Sequence, residues 1–180
     1  IIFIVGDILK IYIIGPSGSG KTTLSKKLSN KYSIKSYELD CIIYDDNNGH
    51  VKRNEEEVEA IFNNIIKQDS WIIEDVGRNK FNKGLEYCDI IYYLKISKFV
   101  VYGRVIKRWL NQRLGKEKYN YPPTLYQFYG MLRDAKLYFK HENDKLKKIQ
   151  KYEDKVKYLS NKELNLMWSI KKTRVIIYNK

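Results

Sequence analysis

The octapeptide Gly15-Pro16-Ser17-Gly18-Ser19-Gly20-Lys21-Thr22 satisfies every specified position of the pattern G-x-x-x-x-G-K-[ST]. The apolar run Ile11-Tyr12-Ile13-Ile14 comes just before it and reads as a buried strand. A helix-forming stretch with Leu24, Leu28 and Tyr32 on one face follows. A strand, a glycine-rich turn and a helix in that order confine the chain to a small set of α/β folds. The glycines let successive backbone N–H groups converge on phosphate oxygens, where side chains would obstruct them. The helix adds its positive N-terminal end. The pattern therefore predicts a nucleoside-triphosphate site built from Gly15, Pro16, Ser17, Gly18, Ser19, Gly20, Lys21, Thr22 and Thr23. In it Lys21 neutralises the outer phosphates and the Thr22 hydroxyl binds Mg²⁺.

A length of 180 residues suits one domain with a sheet covered by helices on both faces. No apolar run approaches the ~20 residues needed to cross a membrane. Ile1-Ile2-Phe3-Ile4-Val5 resembles a signal fragment but has neither a basic start nor a small-residue cleavage site. The expected organisation is an extension over residues 1–8, one domain over 9–168, and a tail over 169–180. The expected compartment is the cytoplasm. Cys41 and Cys88 are far apart and match no metal-ligand spacing, so both are expected to be buried apolar residues. His50 and His141 are isolated, which argues against a metal site built on His and Cys. The formal charge of +13 favours polyanions, nucleic acid included. Lys, Asn, Ile and Tyr are abundant together, as in proteins encoded by AT-rich DNA, and Lys140–Lys157 reads as a solvated face.

Apolar runs alternate with helical patterns, which predicts a parallel sheet. The strands expected are Ile11–Ile14, Ser36–Leu39, Trp71–Glu74, Ile90–Leu94 and Val156–Leu159. Between the second and third lies a helix with Val58, Ile61, Phe62, Ile65 and Ile66 on one face, capped by Asn54. Ser97 caps a helix carrying Val101, Val105, Ile106, Trp109 and Leu110, on which Arg104 and Arg108 share a face. Thr124-x-x-Gln127 opens a long helix to about Gln150, and Ser160-x-x-Glu163 opens the last one. Val175-Ile176-Ile177-Tyr178 is a candidate edge strand.

Carboxyl ends of strands in an open parallel sheet face the ligand crevice. Asp40 and Glu74, at the ends of the second and third strands, are therefore expected near the triphosphate. Carboxylates there hold Mg²⁺ or its waters, or accept a proton from a substrate hydroxyl. Asp45 and Asp46 belong to a polar turn. Arginine suits phosphoryl transfer because its planar fork grips phosphate in a fixed geometry. Arg78 is placed to hold an acceptor, Arg104 and Arg108 with Arg113 to close over the donor phosphates, and Arg53 to contact the acceptor.

From about Lys10 to Trp168 the chain resembles the adenylate-kinase-like P-loop kinases, and within them the bacterial DNA topology modulation (FlaR-like) group. The resemblance rests on Ile11-Tyr12-Ile13-Ile14-Gly15 running into the loop, Tyr37-Glu38-Leu39-Asp40, and Trp71-Ile72-Ile73-Glu74 with Val76-Gly77-Arg78. Arg104-x-x-x-Arg108-Trp109 and Tyr158-Leu159-Ser160-Asn161-Lys162-Glu163-Leu164 complete it. It implies a three-layer α/β fold whose five-stranded parallel sheet has the order 2-3-1-4-5, with a short lid near 104–123. Adenylate kinases carry Asp-Gly-Phe-Pro-Arg after the third strand, and the similar spacing of Glu74-Asp75-Val76-Gly77-Arg78 gives the acceptor role to Arg78. Thr22-Thr23 stands where those enzymes have Gly-Thr after the lysine, and Cys41–Asn54 does not reproduce their monophosphate-binding segment.

The expected function is ATP- and Mg²⁺-dependent transfer of a phosphoryl group to a small-molecule or nucleotide acceptor. Lys21, Asp40, Glu74, Arg78, Arg104 and Arg108 are the candidate catalytic residues, with Thr22 and Glu74 at the metal. A monophosphate acceptor needs no general base, whereas for a hydroxyl acceptor Asp40 is the candidate. The alternative is a nucleotide-gated DNA-binding protein, for which the sequence offers charge but no helix-turn-helix or zinc-finger spacing. Asn161-Lys162-Glu163-Leu164 only half-resembles the guanine-reading Asn-Lys-x-Asp, which disfavours a GTPase.

Overall fold

A computed structural model of the chain describes residues 8–45, 51–117 and 122–169. Most of the 1–8 extension, the edge strand at Val175–Tyr178, Asp46, and residues 118–121 of the expected lid lie outside the described residues. Five parallel strands form the central sheet: β1 (Lys10–Ile14), β2 (Ser36–Glu38), β5 (Trp71–Asp75), β6 (Ile90–Leu94) and β7 (Val156–Leu159). Their order is β2-β5-β1-β6-β7. Counted among themselves they follow 2-3-1-4-5, and the labels shift because a small antiparallel pair, β3 (Tyr44–Asp45) and β4 (Val51–Lys52), intervenes.

Alternation along each strand divides the core between two faces, because successive side chains point to opposite sides. Tyr12, Ile14, Trp71, Ile73, Ile91 and Tyr93 pack on one face with Val58, Phe62, Ile65 and Ile66 of α3 (Glu55–Ile66) and Leu85 of α4 (Asn82–Tyr87). Ile11, Ile13, Ile72, Tyr92 and Leu94 pack on the other with Leu24 and Leu28 of α1 (Lys21–Tyr32) and Val101 and Val105 of α5 (Lys98–Arg113). Both faces of β1, β5 and β6 are thus buried, which is why these three strands read as nearly continuous apolar runs, whereas the edge strands β2 and β7 are only partly buried.

The helix expected from Thr124 to Gln150 is two helices, α6 (Leu125–Lys140) and α7 (Glu142–Gln150), separated at His141. Ala135 of α6 belongs to the core that contains α1, whereas Ile149 of α7 belongs to the opposite core. One straight helix cannot serve both faces. The caps behave as their sequences suggest: Asn54 accepts from the Glu57 N–H at 2.7 Å, and Thr124 from that of Gln127 at 3.2 Å. Ser160 and Glu163 bond reciprocally at the start of α8 (Asn161–Ser169), at 2.6 and 3.3 Å. Ser97 occupies an N-cap position without a side-chain bond.

Candidate functional site

The glycine-rich loop leaves β1 at the carboxyl edge of the sheet, where the Gly15 N–H donates to the Asp75 carbonyl at 3.3 Å. Gly18 and Gly20 take φ of 79° and 102°, conformations that only glycine adopts freely. A Cβ on Gly15 would lie 2.7 Å from Ser19 Oγ and 2.9 Å from Leu94 Cβ, so the loop closes only on glycine there. α1 opens at Lys21 with no side-chain cap and no acid in its first turn. Its first N–H groups are thereby left directed at the loop.

Lys21 is half-buried and its ammonium donates to the Pro16 carbonyl at 3.1 Å. Burial pulls its pKa below the usual lysine value, against the opposing pull of Glu74, Asp40 and Asp75. Glu74 lies beside it, buried, with neither carboxylate oxygen making a hydrogen bond of ordinary geometry. Burial raises its pKa from 4.5 to about 7, Lys21 opposes this, and Glu38, its register partner on β2, reinforces it. The Thr22 hydroxyl is a close neighbour of the same carboxyl. A buried, unpartnered carboxylate next to a hydroxyl at a phosphate loop fits Mg²⁺, which takes one or two carboxylates and relies on water and phosphate oxygens for the rest. Among the described residues no group of three or more His, Cys, Asp or Glu is placed to hold a metal ion by itself.

The next residue serves the other face. The Asp75 carboxylate accepts from the N–H groups of Gly77 (2.7 Å) and Arg78 (2.5 Å) and from the Arg78 guanidinium. These bonds fold Asp75–Arg78 into a closed turn, with Gly77 at φ 84°. Arg78 also pairs with Asp40, in the first turn of the short helix α2 (Leu39–Ile43). Burial lowers the Arg78 pKa, but Asp75 and Asp40 outweigh it and leave the guanidinium firmly charged. Beyond this turn opens a cavity of about 660 Å³, lined by Ser17, Asp40, Arg78, Asn79, Tyr138 and Lys145 among others.

The remaining arginines are placed differently from one another. Arg104 donates to the carbonyls of Gly18 (3.4 Å) and Ser19 (2.9 Å) and to Asn161 Oδ1 (2.5 Å), bracing the loop from behind. Arg108 is exposed and pairs with Glu117 at 3.5 Å. Arg113 is exposed with its guanidinium over the Trp109 ring. Arg53, expected at the acceptor, instead ties down the β3–β4 segment. It donates to the carbonyls of Cys41, Ile42 and Tyr44 and pairs with Asp45 and Glu57. Cys41 is exposed, not buried as expected, because it falls on the outer side of α2, whereas Cys88 is buried. Part of the lysine-rich stretch is no solvated face: Lys145 and Lys148 of α7 are half-buried and reach the Gly77 carbonyl.

Sequence reasoning passed over Glu38, Asp75, Asn161 and these two lysines. Strand alternation could have flagged Asp75, since Glu74 and Asp75 must face opposite sides.

A family model described as AAA domain matches residues 11–121, well over half of the chain. The chain belongs to this AAA-domain family. The matched span runs from β1 through the loop, Asp40, Glu74 and Arg78 to the end of α5. Among curated proteins none matches. Among solved structures, shikimate kinase from Acinetobacter baumannii in complex with shikimate is 17% identical at a TM-score of 0.50, over 92% of this chain and 96% of that one. Shikimate kinase from Bacteroides thetaiotaomicron is 16% identical (TM-score 0.49, 83% and 84% covered). A gluconokinase from Sinorhizobium meliloti 1021 is 14% identical (TM-score 0.48, 85% and 82% covered). The three-layer fold with its five-stranded parallel sheet is shared with the Acinetobacter baumannii shikimate kinase.

Proposed function

We propose that this protein is a kinase that uses ATP and Mg²⁺ to phosphorylate a small acceptor held in the cavity beyond Arg78. The observation that carries the reading is Glu74: a buried carboxylate with no hydrogen bond of ordinary geometry, beside Lys21 and Thr22 at the loop, one residue from the turn that walls the cavity. The loop N–H groups and Lys21 hold the outer phosphates, and Thr22 and Glu74 hold the metal with its waters. When bound, Mg²⁺ neutralises charge on the transferring group. Lys21 approaches that group from the loop, and Arg104 keeps the loop carbonyls turned away from it. Arg78, fixed by Asp75 and Asp40, orients the acceptor. Arg108 closes over the donor from α5 only by leaving Glu117.

The kinase domain spans 9–168, and the quoted motifs support the FlaR-like group within the P-loop kinases. Among the described residues no helix is long and apolar enough to cross a membrane. The test is transfer of labelled γ-phosphate from Mg–ATP across nucleotides, nucleosides and small alcohols. Lys21→Met is expected to cut transfer by about 10²–10³-fold, the usual cost of removing one group that stabilises the transition state. Absence of any labelled acceptor with the unaltered protein overturns the reading.

A further inference from the structure

Lys145 and Lys148 sit three apart on α7, on one helix face. Both are half-buried, and their ammonium groups converge on the Gly77 carbonyl at 3.4 and 2.9 Å, with Asn79 Oδ1 3.4 Å from Lys148. Among the described residues neither has a carboxylate within ion-pair distance. The Lys145 ammonium stands 5.2 Å from the centroid of the Tyr138 ring and lines the cavity. Their hydrogen-bond acceptors are neutral, and the carboxylate whose field reaches both, Asp75, is already held by Arg78, so the two cations are incompletely neutralised. The other charged groups of the wall have nearer polar neighbours. Arg78 is held by Asp75 and Asp40, Asp144 lies 3.4 Å from His141, and Asp134 lies 3.7 Å from Arg133.

The cavity wall thus carries the Asp40 carboxylate, ion-paired with Arg78, and separately the Lys145 ammonium, with Asp134 and Asp144 also on the lining. A nucleoside monophosphate as acceptor would bring its anionic phosphate to the reacting position, against Asp40. An alcohol brings a hydroxyl there, which a carboxylate favours. We propose that α7 supplies an anion seat for the acceptor, Lys145 backed by Lys148, and that the acceptor is a small anionic alcohol, a hydroxyl-bearing carboxylate or phosphate ester. The inference rests on the kinase reading and adds the acceptor class to it. In the transfer, the acceptor oxygen bonds to the γ-phosphorus of the nucleoside triphosphate. The bond from that phosphorus to the β–γ bridging oxygen breaks, its electron pair leaving with the nucleoside diphosphate. The hydroxyl proton passes to the Asp40 carboxylate.

The experiment has two arms. In the first, the loop of the full chain is saturated with Mg²⁺ and a non-hydrolysable ATP analogue, and inorganic phosphate or glycerate is titrated as the probe of the seat. A further rise in melting temperature is expected, and Lys145→Gln abolishes it while retaining the analogue's own shift. In the second, transfer from Mg–ATP is measured to glycerate and gluconate, to ribose 5-phosphate and glycerol 3-phosphate, to glycerol and ribose, and to AMP and CMP. Transfer is expected to the charged alcohols, the first two pairs separating carboxylates from phosphate esters. Lys145→Gln raises KM about tenfold or more, as loss of one charge-assisted contact requires. Asp40→Asn lowers kcat by about 10²–10⁴-fold, as expected on loss of a general base.

Preferred transfer to AMP or CMP, undiminished in Asp40→Asn, overturns the acceptor class and leaves the kinase reading standing. So does preferred transfer to neutral alcohols with KM indifferent to Lys145→Gln. Nucleotide binding without transfer to any compound in the panel counts against the kinase reading itself and removes the inference with it.

Discussion

Glu74→Gln should make the protein less sensitive to pH in the absence of metal and nucleotide. Burial first, then Glu38, raises the Glu74 pKa from 4.5 to about 7 despite Lys21. The folded state therefore holds this proton more tightly than the unfolded chain. Between about pH 4.5 and pH 7 the folded state binds the extra proton, so stability falls as pH rises through that window. A displacement of the pKa from 4.5 to about 7, at about 1.4 kcal/mol per tenfold change in proton affinity, amounts to about 3 kcal/mol. For a chain of this length that corresponds to roughly 6–12 °C in Tm.

Glutamine cannot ionise, so the variant escapes the loss. The opposing pull of Lys21 is already contained in the Glu74 pKa, so the gain of the variant over the unaltered protein carries it without a separate correction. The change in the difference between the two proteins is the decisive quantity. Melting curves recorded in EDTA from pH 4.5 to 8 should show Glu74→Gln gaining on the unaltered protein by several degrees. Parallel curves, or a variant that loses ground as pH rises, would refute the argument that an ionised Glu74 is held in an unfavourable setting.

Two glycines test the two faces separately. Gly15→Ala forces a Cβ against Ser19 Oγ and Leu94 Cβ and is expected to cost about 1–3 kcal/mol and to weaken the thermal shift given by Mg–ATP. Gly84→Ala sets a Cβ 2.5 Å from Tyr12 Cε2 and should lower Tm while leaving the Mg–ATP shift intact. Asp75→Asn leaves Arg78 with Asp40 as its one ion-pair partner among the described residues. Urea denaturation should show a loss near the lower end of about 3–5 kcal/mol, because the Arg78 side chain is 29% exposed. Arg104→Gln unties the loop carbonyls from Asn161, and calorimetry should show ATP affinity reduced by about tenfold or more; unchanged affinity would disprove the brace.

Much of the sheet was legible because its three inner strands, buried on both faces, write themselves as uninterrupted apolar runs such as Trp71-Ile72-Ile73. The phosphate loop was legible because its backbone geometry dictates residue type position by position. Arg104 and Arg108 were paired by helical spacing, but spacing along one helix says nothing about what lies opposite. One finds the Gly18–Ser19 carbonyls and the other Glu117. Lys145 and Lys148 were hidden for a related reason. In a stretch crowded with lysine no local signal separates the two that lean on Gly77, and the turn of direction at His141 that brings them there depends on packing between α6, α7 and the sheet. The carboxyl at position 75 was overshadowed by its neighbour, although their parity already assigned them to different sides.

That parity has a further consequence. The acid at the phosphate loop and the acid that anchors the cavity wall are joined by a single planar peptide, about 3.8 Å from Cα to Cα. Their separation is set by covalent geometry, not by the fit of two mobile parts. Rigid-body motion of surrounding helices can open or close access to either half, but it cannot change that span. A deletion or insertion of one residue in β5 would exchange the two acids between faces. Each half of the site would then inherit the other's carboxyl, a failure that no repacking of the helices could repair.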